Sequence, residues 1–123
     1  MEQILFQTID WTKVPVTECA GETGFARQQT IQHHHFRLRL VEYSKGYRSD
    51  HWCTKGHLVF CLQGEMISEL ADGRTYTIGP GMSYEVSDNT SRHRSSSKDG
   101  VKLLIIDGTF LGNTALPRNP WKI

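Results

Sequence analysis

The chain has 123 residues, 14 basic and 13 acidic side chains, a net charge of +1 at neutral pH, and a hydrophobic fraction of 37%. That length suits one domain with a modest core, and the mixed charges without a basic block argue against nucleic acid as a partner. No apolar run approaches the ~20 residues of a membrane span, and no membrane partner is expected. The start of the chain, Met1 to Phe6, lacks a basic start and a long apolar stretch, so no signal peptide is expected there. The cysteines, Cys19, Cys53 and Cys61, are odd in number and unclustered, which points to a reducing cytoplasm.

Residues 1–24 read as an irregular arm punctuated by Pro15, Gly21 and Gly24, able to pack as an edge strand on this chain or on a neighbour. A strand is expected over residues 25–32. The internal run His33-His34-His35 continues into a strand in which Phe36, Leu38 and Leu40 alternate with Arg37, Arg39 and Val41. Arg37 and Arg39 either face solvent or turn into a pocket and hold an anion. At most two of the three histidines share a face, and one of them is a minor metal-ligand candidate.

Residues 47–55 and 57–63 read as a strand pair or one bulged strand, with the apolar run Leu58 to Leu62 suiting a sandwich core. Further strands are expected over 65–71, 74–78, 82–86, 92–97 and 101–106, the last of them central. The turns between them are marked by Gln63-Gly64, Asp72-Gly73 (a type I′ signal), Gly79-Pro80-Gly81 and Asp99-Gly100, and a loop runs over residues 87–91. The barrel thus spans about residues 25–107. The tail, 108–123, contains Pro117 and Pro120 and is expected to be irregular, docked by Phe110, Leu111 and Trp121. No segment longer than about ten residues has helical periodicity, so the fold class is all-β, a sandwich or barrel.

The stretch from Gly46 to Gly64 concentrates the chemistry. If it is extended, His51 and Cys53 share a face, with Cα atoms roughly 6.6 Å apart, close enough to close on one metal ion. His57 joins them if the chain stays extended or bulges at Gly56. Asp50 either accepts a hydrogen bond from a neighbouring imidazole or caps a turn. Trp52 is expected to point away from a metal, and Cys61 to pack in the core. Tyr47, Arg48, Tyr84, Glu85 and Ser95 are candidate pocket residues.

Gly46, four residues, His51-Trp52-Cys53, three residues, His57, six residues and Gly64 resemble the first motif of small cupins. Pro80-Gly81-Met82 followed by His93 resembles their second motif. Asp50-His51-Trp52-Cys53 with Gly56-His57, and later His93-Arg94-Ser95, is similar to the cupin group described by an Asp-His-Cys-Trp (DHCW) type motif, mostly without assigned activity. The resemblance covers roughly residues 36–107. It implies a double-stranded β-helix, or jelly-roll barrel, with a metal inside held by His51, Cys53, His57 and His93.

Cys53 stands where the motif has a second histidine, and His57 where it has glutamate. Such a donor set is softer than the family's and moves preference toward zinc, with iron, nickel, copper or manganese as alternatives. Two functions follow from this reading: a metal-dependent enzyme on a small organic molecule, or a non-catalytic module that binds a small ligand or metal, or senses it. The substrate and reaction type are open, and a homodimer is expected.

Overall fold

The computed structural model describes residues 3–112. The expected docking of Trp121, like the irregular run through Pro117 and Pro120, lies outside them. A 3-10 turn over Trp11–Lys13, opened by the Asp10 side chain accepting from the Thr12 amide, precedes the first strand. The strands are β1 (Thr17–Ala20), β2 (Phe25–Gln32), β3 (Phe36–Tyr43), β4 (Tyr47–Arg48) and β5 (His57–Gly64), followed by β6 (Met66–Leu70), β7 (Thr75–Ile78), β8 (Ser83–Val86), β9 (His93–Ser97) and β10 (Val101–Gly108). A second 3-10 turn covers Thr109–Leu111, where Leu111 is buried and Phe110 exposed. No helix among the described residues is long and apolar enough to cross a membrane.

The strands form a six-stranded sheet in the order β1-β2-β3-β10-β5-β8 and a four-stranded sheet in the order β4-β9-β6-β7. Every pairing between named strands is antiparallel. The arm supplies β1 as an edge strand on β2, and the Gln29 amide pins the preceding chain by donating to the carbonyls of Trp11 and Val14. β10 is central, hydrogen-bonded to β3 on one side and β5 on the other. Its alternation is clear: Val101, Leu103, Ile105 and Asp107 are buried, and the residues between them are not.

The core lies between the sheets. Val41, Val59, Cys61, Val101, Leu103 and Ile105 from the larger sheet meet Met66 and Ile78 from the smaller one. Cys61 is thus a packing residue, fully buried. Its neighbours Phe60 and Leu62 point to the opposite face and are 42% and 48% exposed, so the apolar run of β5 divides between core and outer surface.

The turns fall where their residues put them, but among the four only Asp72-Gly73 closes a hairpin; Gln63-Gly64, Gly79-Pro80-Gly81 and Asp99-Gly100 each join strands of different sheets. Asp72 does not take a positive φ; only Gly73 does, at 96°. The turn between β6 and β7 is therefore not type I′. Gly73 donates to the Leu70 carbonyl, and the Asp72 carboxylate accepts from the Arg74 amide and side chain. Residues 71–73 form a three-residue loop in which glycine takes the left-handed position.

Candidate metal centre and adjoining cavity

The stretch after β4 does not stay extended. Ser49 and Ser95 exchange hydrogen bonds, and the next backbone contact with β9 is the pair Cys53–His93, at 2.7 and 3.0 Å. Asp50, His51 and Trp52 together span what Arg94 alone spans on β9, so they bulge outward. The shared face expected for His51 and Cys53 is lost for this reason. The His51 side chain is 73% exposed, and its Nδ1 lies 2.6 Å from the Asp50 carboxylate. Trp52 turns away from the interior, with the Arg94 guanidinium 4.4 Å above its ring.

Cys53, His57 and His93 do come together, each offering a donor atom within 4.8 Å of the others. Cys53 and His93 meet because they face each other across an antiparallel bridge, which aims their side chains the same way. His57 is brought in by Gly56, whose amide donates to the Asp88 carboxylate. A Cβ at Gly56 would come 2.6 Å from the Val86 carbonyl, so this close approach needs glycine. His33, His34 and His35 lie at the turn between β2 and β3, outside this group.

The two imidazoles are held in one tautomer. His93 Nδ1 is 2.9 Å from the Ser91 carbonyl, and His57 Nδ1 is 3.1 Å from Asp107 Oδ2. Both partners only accept, so each Nδ1 carries the proton and each Nε2 turns a lone pair toward the cluster when the ring is neutral. His93 is 3% exposed, and its Nε2 is buried without a hydrogen-bond partner. His57 Nε2 lies 3.5 Å from the Cys53 sulfur. Burial works against ionising Cys53, but His57 and His93 outweigh it and bring the thiol down to about 5. The facing sulfur in turn raises His93.

A soft thiolate, two oriented imidazoles and one orphaned buried nitrogen suit a divalent transition metal. The carboxylate and carbonyl behind the rings are the partners that metal-ligating histidines commonly have.

Asp107 carried no signal in the spacing of the motif. Its carboxylate also accepts from Arg37 Nε at 2.6 Å and from Arg39 Nη2 at 2.9 Å. Burial opposes its charge, but the hydrogen bond from Arg37, the charges of both arginines and the His57 ring hold the carboxyl below its usual range. Arg37 and Arg39 thus face inward rather than solvent. The signal that could have found Asp107 is its place in the strand after Ile105, at the parity of the core residues Val101 and Leu103.

The cluster opens on a cavity of about 430 Å³ lined in part by Arg37, Arg39, Tyr43, Tyr84 and Ile105. Tyr47, Ser95 and the rim residue His51 also line it. Arg48 does not: its guanidinium turns outward to Glu22 at 3.3 Å. Glu85 is exposed and likewise outside this lining. Burial pushes the Tyr43 hydroxyl up to about 12 and raises Tyr84 as well, so both phenols stay protonated donors.

No protein-family model matches the chain. Over 55 residues it is 33% identical to an L-ectoine synthase of Bordetella parapertussis, a match that spans 42% of this chain and only 42% of that relative. A solved RmlC-like cupin from Shewanella frigidimarina superposes with a TM-score of 0.65 at 15% identity, covering 88% of this chain and 91% of the other. The chain has the cupin fold. An ectoine synthase from P. lautus shares that fold with it at a TM-score of 0.69 and 16% identity, over 84% of this chain and 78% of that one. Within this fold the Cys/His/His cluster lies between the two sheets, facing the cavity.

Two outcomes follow from this geometry. Asp107→Asn strands two arginines without their anion and is expected to destabilise the fold by about 3 kcal/mol in urea denaturation near neutral pH. Because the folded carboxyl is held low, wild type keeps this advantage above the unfolded value of about 4 and loses it as the pH falls through the folded one. In metal-free protein with Cys19→Ser, alkylation of Cys53 by iodoacetamide is expected to fall to half its plateau near pH 5, as the thiol is at about 5. A midpoint near the ordinary thiol value of about 8.5 would contradict the cluster's electrostatics.

Proposed function

We propose that this cupin binds a divalent transition metal through Cys53, His57 and His93 and acts as a metal-dependent enzyme on a small organic molecule in the adjoining cavity. The observation that carries the reading is the three-donor cluster itself, which faces an open cavity. A closed set of three histidines and a cysteine would suit a structural zinc. With His51 outside the cluster, three protein donors leave a tetrahedral ion one position for a substrate. Zinc fits the donor set best, ahead of iron, nickel, copper or manganese.

A divalent ion held there would supply Lewis-acid polarisation of a substrate oxygen. The residues of the chain do the rest. Asp107 and the Ser91 carbonyl fix the two imidazoles, and Tyr43 and Tyr84 offer hydroxyl donors to a bound molecule. The His51–Asp50 pair at the rim is placed to exchange a proton with solvent. The partial match to L-ectoine synthase supports the enzymatic reading. The alternative is a non-catalytic module that binds or senses a small ligand or metal; an ion without an exchangeable position would favour it. Three free cysteines suit a reducing compartment, the cytoplasm.

Metal analysis of protein prepared without a histidine tag is expected to give one equivalent of zinc. Cys53→Ser and His93→Ala are expected to weaken binding at least about tenfold. His51→Ala is expected to leave the stoichiometry unchanged. Less than a tenth of an equivalent of any transition metal, after growth in supplemented medium, would sink the proposal.

The outer face of the larger sheet carries Leu38, Leu40, Leu58, Phe60, Leu104 and Ile106, in register across β3, β10 and β5. An apolar sheet face of this kind, with Phe60 and Leu62 well exposed, fits a second copy of the chain. Light scattering is expected to give the mass of a homodimer, and a Phe60→Glu/Leu62→Glu variant to give a monomer. A monomeric mass for wild type would rule this out.

A further inference from the structure

We infer that Arg39, with Arg37 beside it, holds the carboxylate of a small monoanionic substrate next to the Cys53–His57–His93 cluster. This deepens the proposed function and rests on its reading of the cavity as a substrate site.

The charge balance of the cavity wall is the first observation. Arg37 and Arg39 sit two residues apart on β3, on the inward face, and both reach the one carboxylate of Asp107. Arginine is always protonated, so two cations share one anion, and His57 draws on the same carboxylate. Within this trio one positive charge is left over on a half-buried wall, and a divalent ion on the cluster would more than offset the Cys53 thiolate that shares the cavity. The Arg39 side chain is 13% exposed, which deprives it of most of the water that would otherwise screen that charge.

The second observation is an unmade hydrogen bond. Arg39 gives Nη2 to Asp107 at 2.9 Å and Nη1 to the Gln28 side-chain oxygen at 3.1 Å, but its Nε is buried with no partner. A buried N–H without an acceptor is costly, and a site that supplies that acceptor from a ligand gains the full difference. Arg39 also lines the cavity that the cluster faces. The missing partner is therefore an acceptor, and the leftover charge makes it an anion.

A carboxylate matches both counts. It brings one negative charge and two oxygens at the spacing a guanidinium edge accepts, and charge-assisted pairs of this kind are the strong ones. Asp107 joins the two halves of the site, since its Oδ2 accepts from both His57 Nδ1 and Arg39 Nη2. A substrate anchored by its carboxylate at Arg39 thereby has its remaining atoms in the cavity beside the cluster.

The test uses butyrate and its neutral isostere butyramide, titrated at low ionic strength into the full chain with and without zinc. The Arg39 Nε–H resonance, identified by its loss in Arg39→Lys, is expected to move and saturate with butyrate and to stay in place with butyramide. Calorimetry is expected to show butyrate binding weakened about tenfold or more in Arg39→Lys, which keeps the charge opposite Asp107 but loses the fork. No movement with butyrate, equal movement with butyramide, or tighter binding of inorganic phosphate than of butyrate would each overturn the inference. Butyrate binding that persists in zinc-free protein would uphold the carboxylate site even if metal binding failed. Zinc binding without any butyrate response would overturn the carboxylate site while leaving the metal centre intact.

Discussion

The carboxylate of Asp107 is the constraint on which the interior depends. It is buried at the end of β10, the strand that joins β3 to β5, and it takes hydrogen bonds from both of its neighbours at once. From β3 come Arg37 and Arg39, and from β5 comes His57. Two guanidiniums could not be held inside a sheet sandwich without an anion between them, because each would lose its hydration for nothing. The same carboxylate gives the His57 ring its orientation. Charge compensation and the placing of a cluster donor are thus one interaction.

The second constraint is the short contact between the ragged segment after β4 and the start of β9. Regular pairing would have kept residues 49–57 extended and spread their side chains over both faces. The three-residue bulge at Asp50–Trp52 instead puts His51 on the rim and delivers Cys53 opposite His93. Backbone hydrogen bonds on both sides of the bulge fix its ends, so the cluster does not rely on loose loop geometry. The bulge also explains the Trp52–Arg94 contact, which covers the outer side of the same junction.

A polar wall and a soft donor cluster thus share one cavity, and the division of labour follows from the strands that carry them. The long strands β3, β5 and β10, regularly paired apart from one register shift between Lys102 and Leu103, hold Arg37, Arg39, His57 and Asp107, where register leaves little freedom. The irregular edge near β4 and β9 holds Cys53, His93 and the exposed His51–Asp50 pair. Chemistry that needs a fixed electrostatic frame has been placed on the first set, and access to solvent on the second.

The strands themselves were legible in the sequence because period-two alternation and turn residues are local signals. The bounds of β2 and the central place of β10 follow from them, as does the hairpin at Asp72-Gly73, whereas the turn at Asp99-Gly100 carries the chain from one sheet to the other instead of closing a hairpin. The spacing of Cys53, His57 and His93 was also visible. Parity counting misplaced His51, because it assumes an extended chain and cannot register extra residues that a bulge absorbs. The inward turn of Arg37 and Arg39 was undecided for a related reason: alternation says that two residues share a face but not which face is inside. Asp107 had only its parity with Val101, Leu103 and Ile105 to mark it as inward, and nothing local tied it to His57, 50 residues away. By itself the sequence determined an all-β chain and the neighbourhood of its chemistry. Only the tertiary structure decided which donors meet and which charge is left uncompensated, because both depend on strand pairings between residues far apart in the chain.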